Sequence, residues 1–278
     1  MTDWRIWECD ALQGLKGLQA NQWDAVLADP PYSSGGLMRS DRQGDIREKY
    51  QVVGSADFGG DSRDQRSWTA WCAHWLYECH RVVRPGGVCM VFTDWRQLPS
   101  LTDAFQMGGW VWRGIVVWDK TDGAKPSRGR FKHQCEYLVW GSKGGMPLGE
   151  GYCHPGLIRC STLPSEKLHP SGKPLPLLRE LLRIVPPEGQ VLDPFAGSAS
   201  VGQVCVESGL DYLGLECNPH WAAIARERLE RTSLMLPETQ LPIQQARERL
   251  WLSPQCLTEA VPAAAAQLGL CWDDEDEE

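Results

Sequence analysis

The sequence predicts an α/β protein built on a mainly parallel twisted sheet with helices on both faces. Three observations carry that expectation. Short apolar segments recur and each runs into turn chemistry, helical periodicities lie between several of them, and a strand–turn–helix–strand unit occupies residues 191–218. At 278 residues the chain can bury the core of one large domain, or of one domain with a small addition.

Taken in order, residues 5–9 form the first strand and lead into Asp10-Ala11-Leu12. Residues 25–28 form the second and run straight into Asp29-Pro30-Pro31-Tyr32. Residues 33–66 are rich in glycine and charge without clear period, as either a functional lid or a disordered segment would be. Residues 68–83 carry Trp68, Trp71, Cys72, Trp75, Leu76 and Cys79 at helical spacing, and Arg84-Pro85-Gly86-Gly87 ends that helix. Strands are expected at 88–93, 114–118 and 136–140, with 141–165 irregular. Leu177, Leu178, Leu181, Leu182 and Val185 share one side of a helix over 175–185. The last two strands fall at 190–192 and 212–215, and Asn218 caps a helix that opens at Pro219 and reaches about Arg231. Beyond residue 232 the pattern weakens to a helix near 239–251, an alanine run at 263–266 and the acidic stretch 273–278, expected to be a disordered tail. We find no internal repeat.

The net charge of −8 is unevenly placed, because those six terminal acids supply most of it. Between residues 113 and 143, Arg113, Lys120, Lys125, Arg128, Arg130, Lys132 and Lys143 outnumber Asp119, Asp122 and Glu136. A phosphate backbone can use such an excess, although a solvated basic loop accounts for the charge equally well. The eleven cysteines are odd in number and irregularly spaced, with no Cys-x-x-Cys, and the first residues are charged with no apolar run. A reduced, cytoplasmic protein without signal peptide or membrane span is the expectation. His133, Cys135, Cys153, His154 and Cys160 match no usual zinc spacing, and no metal is expected.

Two constellations carry chemistry. Proline lacks an N–H and fixes φ, so Pro30 and Pro31 hold Asp29-Pro30-Pro31-Tyr32 extended where a strand ends. The Asp29 carboxylate and the Pro30 carbonyl are two acceptors suited to the two hydrogens of one amino group, and Tyr32 offers a face for a planar ring. A stiffened turn with a capping aspartate and a core tyrosine remains the alternative for this tetrapeptide alone. In the second constellation a strand runs to Leu192, the small-residue turn Phe195-Ala196-Gly197-Ser198-Ala199-Ser200 opens a helix, and the next strand ends at Glu216. Backbone against the ligand and a carboxylate for ribose hydroxyls is how such a unit binds a nucleoside, though the glycines do not match the dinucleotide fingerprint.

Together with Cys9-Asp10-Ala11-Leu12, Val116-Val117-Trp118-Asp119-Lys120 and His169-Pro170-Ser171-Gly172-Lys173-Pro174, these motifs resemble the amino-type DNA methyltransferases. That family uses S-adenosylmethionine to modify adenine N6 or cytosine N4. The resemblance is to the beta group, in which the circularly permuted motif order puts the catalytic half before the cofactor half. It implies the Rossmann-like methyltransferase fold over residues 1–231, with 33–66 as a mobile loop and about 120–168 as a target-recognition insertion. A C-terminal extension would occupy 232–278.

Carried across residue by residue, the resemblance implies that Asp29, Pro30, Pro31 and Tyr32 hold the target base. Asp193, Phe195, Ala196, Gly197, Ser198, Ala199 and Ser200 would surround the cofactor, with Asp29 at its edge. Glu216, with Cys217 and Asn218, would take its ribose, Asp10 with Ala11 its adenine, and His169 with Lys173 its methionine end. Lys125, Arg128, Arg130 and Lys132, with Tyr32 on the flipped base, would contact double-stranded DNA. The family's usual Gly-Ser-Gly-Thr turn reads Gly197-Ser198-Ala199-Ser200 here, which bears on cofactor affinity rather than on the fold. Aspartate at 29 points to adenine before cytosine, and a homodimer is possible. RNA or protein-amide methylation, or a module that binds nucleic acid without catalysis, are the other readings.

Overall fold

The side chains of each central strand divide between two apolar cores, as the two-residue repeat of an extended chain requires. The computed structural model describes residues 2–32, 63–122, 129–146, 153–161 and 172–235. In chain order the elements are β1 (Trp4–Glu8), α1 (Ala11–Lys16), β2 (Trp23–Ala28), α2 (Gln65–Val82), β3 (Val83–Thr93), α3 (Leu98–Met107) and β4 (Val111–Asp119). There follow β5 (Cys135–Ser142), β6 (Leu157–Arg159), α4 (Leu175–Leu182), β7 (Gln190–Asp193), α5 (Ser200–Glu207), β8 (Asp211–Glu216) and α6 (Pro219–Met235).

Among the described residues these strands form one sheet, ordered β1-β8-β7-β2-β3-β5-β4-β6. It is parallel throughout except that β5 runs antiparallel to both β3 and β4. Ala25, Leu27, Val88, Met90, Val191 and Tyr212 face a core closed by α4, α5 and α6. Val26, Ala28, Cys89, Val91, Leu192 and Leu213 face the other, closed by α1, α2 and α3. The mainly parallel sheet with helices on both faces is therefore as the sequence predicts. Trp23, Trp68 and Trp75 are fully buried in the second core, and truncating one to alanine would cost about 3–5 kcal/mol.

β2 and β7 are neighbours, with Ala25 opposite Val191 and Val26 opposite Leu192. From β2 the chain passes through α2 to β3 on one side, and from β7 through α5 to β8 on the other. The strand order thus reverses between β2 and β7, and ligands of open α/β sheets collect at the carboxyl edge of such a switch point.

Four differences from the sequence-based expectation have physical causes. Arg84-Pro85-Gly86-Gly87 does end the preceding helix at Val82, yet β3 begins at once with Val83 paired to Trp23. Gly86 then takes φ +80°, and the pairing shifts register before Val88 meets Ala25. Helices α1 and α3 are short, and α1 is held by a cap, Asp10, whose carboxylate accepts from the N–H groups of Leu12 and Gln13. β6 lies in the stretch expected to be irregular and is only three residues long, too short for a periodic signal. The C-terminal helix continues past Arg231 to Met235. The expected loop at 33–66 lies outside the described residues up to 62, as do the helix at 239–251 and the acidic tail. No helix of the described residues is long and apolar enough to cross a membrane.

Candidate active site

At the end of β2 the two prolines release the chain from the ladder, and neighbouring side chains then grip its carbonyls. Trp68 of α2 donates from Nε1 to the Pro31 oxygen at 2.7 Å, and Gln97 donates from Nε2 to the Tyr32 oxygen at 2.9 Å. Gln97 is itself placed by Asp94, whose carboxylate takes the N–H groups of Arg96 and Gln97. The Pro30 carbonyl just before them accepts nothing from the described residues. The segment is thus fixed with one main-chain acceptor left available.

The Asp29 carboxylate beside it is heavily engaged. Tyr32 donates its hydroxyl to Oδ1 at 2.8 Å, and the Lys173 ammonium donates to both Asp29 oxygens at 2.7 Å. Lys173 Nζ also lies 3.2 Å from the Tyr32 hydroxyl and 3.7 Å from Glu136 Oε2 on β5. The Lys173 side chain is 10% exposed. Burial on its own would lower its pKa, but the Asp29 and Glu136 carboxylates outweigh burial and hold the ammonium above its usual value. Burial, then the Asp29 charge, pushes the Tyr32 phenol well up, so it stays a neutral donor. Lys173, expected near the methionine end of a cofactor, sits directly on the Asp29 carboxylate.

The second corner lies on the next two strands. Asp193, at the end of β7, is 2% exposed; it accepts from the Phe195 N–H at 3.1 Å and from the Tyr212 hydroxyl at 3.2 Å. Burial raises its pKa to about 7 against those two donors, with the charges of Asp29 and Glu216 adding to the rise. Phe195 is wedged against Trp71 and Trp75 at centroid distances of 5.5 and 5.1 Å. The turn then takes two left-handed residues, Gly197 at φ +52° and Ala199 at φ +56°. Ala196 and Ser198 are buried, and Ala199 is fully buried in the core with Val201 and Ala222. Its methyl thus belongs to the protein interior, and its cost is the positive φ. The Ser200 hydroxyl accepts from Arg228 at 2.6 Å.

Glu216, at the end of β8, ties this corner together. Its Oε2 accepts from the Gly197 N–H at 2.9 Å and its Oε1 from the Asn218 N–H at 2.8 Å, with the Cys217 thiol 3.8 Å away. The Asn218 side chain caps α6 through His220 and Trp221. β1 pairs with β8 so that Glu8 faces Glu216, which puts the exposed Asp10 and the buried Ala11 on the same edge. Asp10, Ala11, Asp29, Lys173, residues 193–200 and 216–218 therefore share one rim, although the chain supplies them from both ends.

The basic segment divides. Arg113 bonds Ser142 and the Gly144 carbonyl, Lys120 bonds Glu136, and Lys143 bonds Asn21 and the carbonyls of Arg81 and Val83. These three cations serve the fold. Arg130 and Lys132 are exposed beside Phe131, which is 99% exposed, between β4 and β5. Lys125, Arg128 and His169 lie outside the described residues. Among the described residues no cluster of His, Cys, Asp and Glu could hold a metal ion. Sequence reasoning missed Trp68 and Gln97 as clamps and Glu136 as a charge at the site; no motif marks them, and only the pairing of β5 with β3 and β4 brings Glu136 to this edge.

The family model of DNA methylases, those of the N6 and N4 type, matches residues 23–154 and 153–227, both corners in one chain order. The chain belongs to this family. Adenine N6 and cytosine N4 are the two positions its enzymes modify. The type II methyltransferase M2.DpnII of Streptococcus pneumoniae is 25% identical to this methylase over 241 residues, covering 80% of this chain and 87% of its own. The crystal structure of the M1.HpyAVI–SAM complex superposes with a TM-score of 0.59 at 22% identity, over 81% of this chain and 98% of that one. PvuII DNA methyltransferase, described as cytosine-N4-specific, gives 0.61 at 16% identity over 93% and 91%. These structures share the methylase's α/β fold.

Proposed function

We propose that this methylase transfers a methyl group from S-adenosylmethionine to adenine N6 of a flipped-out base in double-stranded DNA. The observation that carries the reading is the pairing of β2 with β7, which sets the Asp29 carboxylate and the available Pro30 carbonyl beside the Asp193–Glu216 corner. The residues of that corner suit the cofactor. The half-buried Phe195 ring and small residues can line an adenosyl moiety, and Glu216 keeps lone pairs for ribose hydroxyls after taking two backbone N–H groups. When bound, S-adenosylmethionine supplies an electrophilic methyl on a sulfonium sulfur.

The protein's part is electrostatic and geometric. An aromatic amine is a poor nucleophile because its lone pair is delocalised into the ring. Hydrogen bonds from its two N–H groups to Asp29 and the Pro30 carbonyl draw the nitrogen toward tetrahedral geometry and stabilise the positive charge that grows there. Asp29 accepts or relays the proton once the methylated nitrogen has become acidic. The base must leave the duplex to reach this edge, and the Tyr32 ring is the surface on which it stacks. Aspartate rather than serine at position 29 favours adenine.

The test is labelled methyl transfer to unmethylated double-stranded DNA, followed by nucleoside analysis of the product. N6-methyladenine with the wild type and none with Asp29→Ala is the expected result. N4-methylcytosine would reassign the base, and no label in DNA from any source would refute the reading.

A further inference from the structure

We infer that Glu136 is a positioning residue for methyl transfer: it is a second seat for the Lys173 ammonium, which leaves Asp29 for Glu136 when the target amine arrives. The inference deepens the reading of Asp29 as acceptor for that amine and rests on it.

Lys173 creates a conflict at the catalytic carboxylate. Its ammonium donates to both Asp29 oxygens at 2.7 Å, and Tyr32 already takes a share of Oδ1. Two strong charge-assisted bonds leave Asp29 poorly disposed to accept another donor, and a neighbouring positive charge opposes the cationic character that develops on the amine. One of the lysine's bonds must therefore be surrendered. A buried ammonium cannot simply be left without a partner, because desolvation penalises it heavily.

Glu136 resolves the conflict. Its Oε2 is buried and has no hydrogen-bond donor among the described residues, yet Lys173 Nζ lies only 3.7 Å from it. Its Oε1 is held by Lys120 at 3.2 Å, so the carboxylate is anchored on one side and open on the other. A shift of about 1 Å would convert the ion pair into a full charge-assisted bond of ordinary length. The lysine would stay paired throughout while the Asp29 oxygens become available to the incoming amine. The register of β5, with Glu136 opposite Trp118 and Tyr137 opposite Thr93, fixes that second seat at the rim where β2 ends.

Glu136→Gln keeps the shape and removes the charge. It is expected to lower kcat for methyl transfer by about tenfold or more while leaving KM for DNA, cofactor affinity and unfolding temperature near the wild-type values. Glu136→Asp is expected to recover part of the rate. Because Glu136 acts through Lys173, Glu136→Gln in a Lys173→Met background should cost nothing further. A wild-type kcat in Glu136→Gln would overturn the inference, as would a rate loss that adds in full to that of Lys173→Met. Loss of folding in Glu136→Gln that Glu136→Asp also suffers would assign Glu136 a structural role and overturn it too. An inactive wild type on every DNA would instead sink the parent reading, whereas an active wild type with an indifferent Glu136 sinks only this one.

Discussion

The two corners of the active edge are built on opposite principles. In the corner proposed to take the nucleoside, the acids are spent on the protein itself: Asp193 on Phe195 and Tyr212, Glu216 on Gly197 and Asn218. The bonds to Phe195 and Asn218 close local turns, and those from Tyr212 and Gly197 tie neighbouring elements together, so this corner is shaped before any ligand enters. In the corner proposed for catalysis Trp68 and Gln97 clamp the main chain, while the side chains share charge. Asp29, Tyr32, Lys173 and Glu136 form a network in which one cation serves two carboxylates. A binding site gains from a rigid first form, whereas a site that must take up an amine and shed a proton needs a charge that can move.

The comparison breaks first at Asp29. Asp29→Ala removes the side-chain acceptor for the target amine and leaves the Pro31 and Tyr32 clamps in place. A loss of about 10²–10³ in kcat is expected, comparable to removing one donor of an oxyanion hole. Cofactor affinity should hold within a few fold. Single-turnover methyl transfer and calorimetric titration separate the two, and a large drop in cofactor affinity with an intact rate would exchange the roles of the corners.

Glu216→Ala probes the other principle. It removes the acceptor for two backbone N–H groups and unties the turn from the start of α6, so cofactor affinity and unfolding temperature should fall together. About 10- to 100-fold weaker binding is expected, from one to two lost charge-assisted bonds. A variant that binds as tightly as wild type would show that the turn does not depend on its carboxylate.

How much of this was legible beforehand follows from the same contrast. The nucleoside corner is local: residues 191–218 fold against themselves, so strand, small-residue turn and terminal acid could be read directly. The proline segment could be read because proline chemistry acts on its own neighbours. The catalytic network is not local. Lys173 reaches Asp29 across 144 residues and Glu136 reaches the rim only through antiparallel pairing, neither of which leaves a periodic trace. The motif containing Lys173 named the residue, but its bond to Asp29 could not be read from it. Among the cations, sequence could count charge between 113 and 143 but could not separate Arg113, Lys120 and Lys143, which hold the fold, from Arg130 and Lys132, which face solvent.

Asp193 sharpens the contrast through pH. Burial holds its carboxyl at about 7 in the folded protein, against an ordinary acidic value when unfolded. A raised acid favours the folded state below the unfolded pKa, and that contribution is lost as pH climbs through about 7. Between pH 5 and pH 8 the wild type should therefore lose stability that Asp193→Asn, neutral throughout, retains. Thermal unfolding across that range should show the two curves converging or crossing in the variant's favour. Parallel curves would mean that Asp193 is ionised at little cost and that this corner is less dry than its 2% exposure implies.

The smallest effects belong to the cations that neither corner uses. Arg130 and Lys132 are exposed on the chain between β4 and β5, at the same edge as Asp29, and Lys132 reaches the Asp122 carbonyl at 3.3 Å. A surface cation on a phosphate contributes through counterion release, so its loss acts on every DNA alike. Arg130→Ala and Lys132→Ala should each reduce the slope of log affinity against log salt by about one and weaken binding modestly, without changing the methylated base or the single-turnover rate at saturating DNA. Lys143→Ala, whose ammonium is spent on Asn21 and two carbonyls, should instead lower stability and leave the salt slope alone. Fluorescence anisotropy at several salt concentrations distinguishes the two classes, and an unchanged slope in both loop variants would move the DNA contact away from the segment joining β4 to β5.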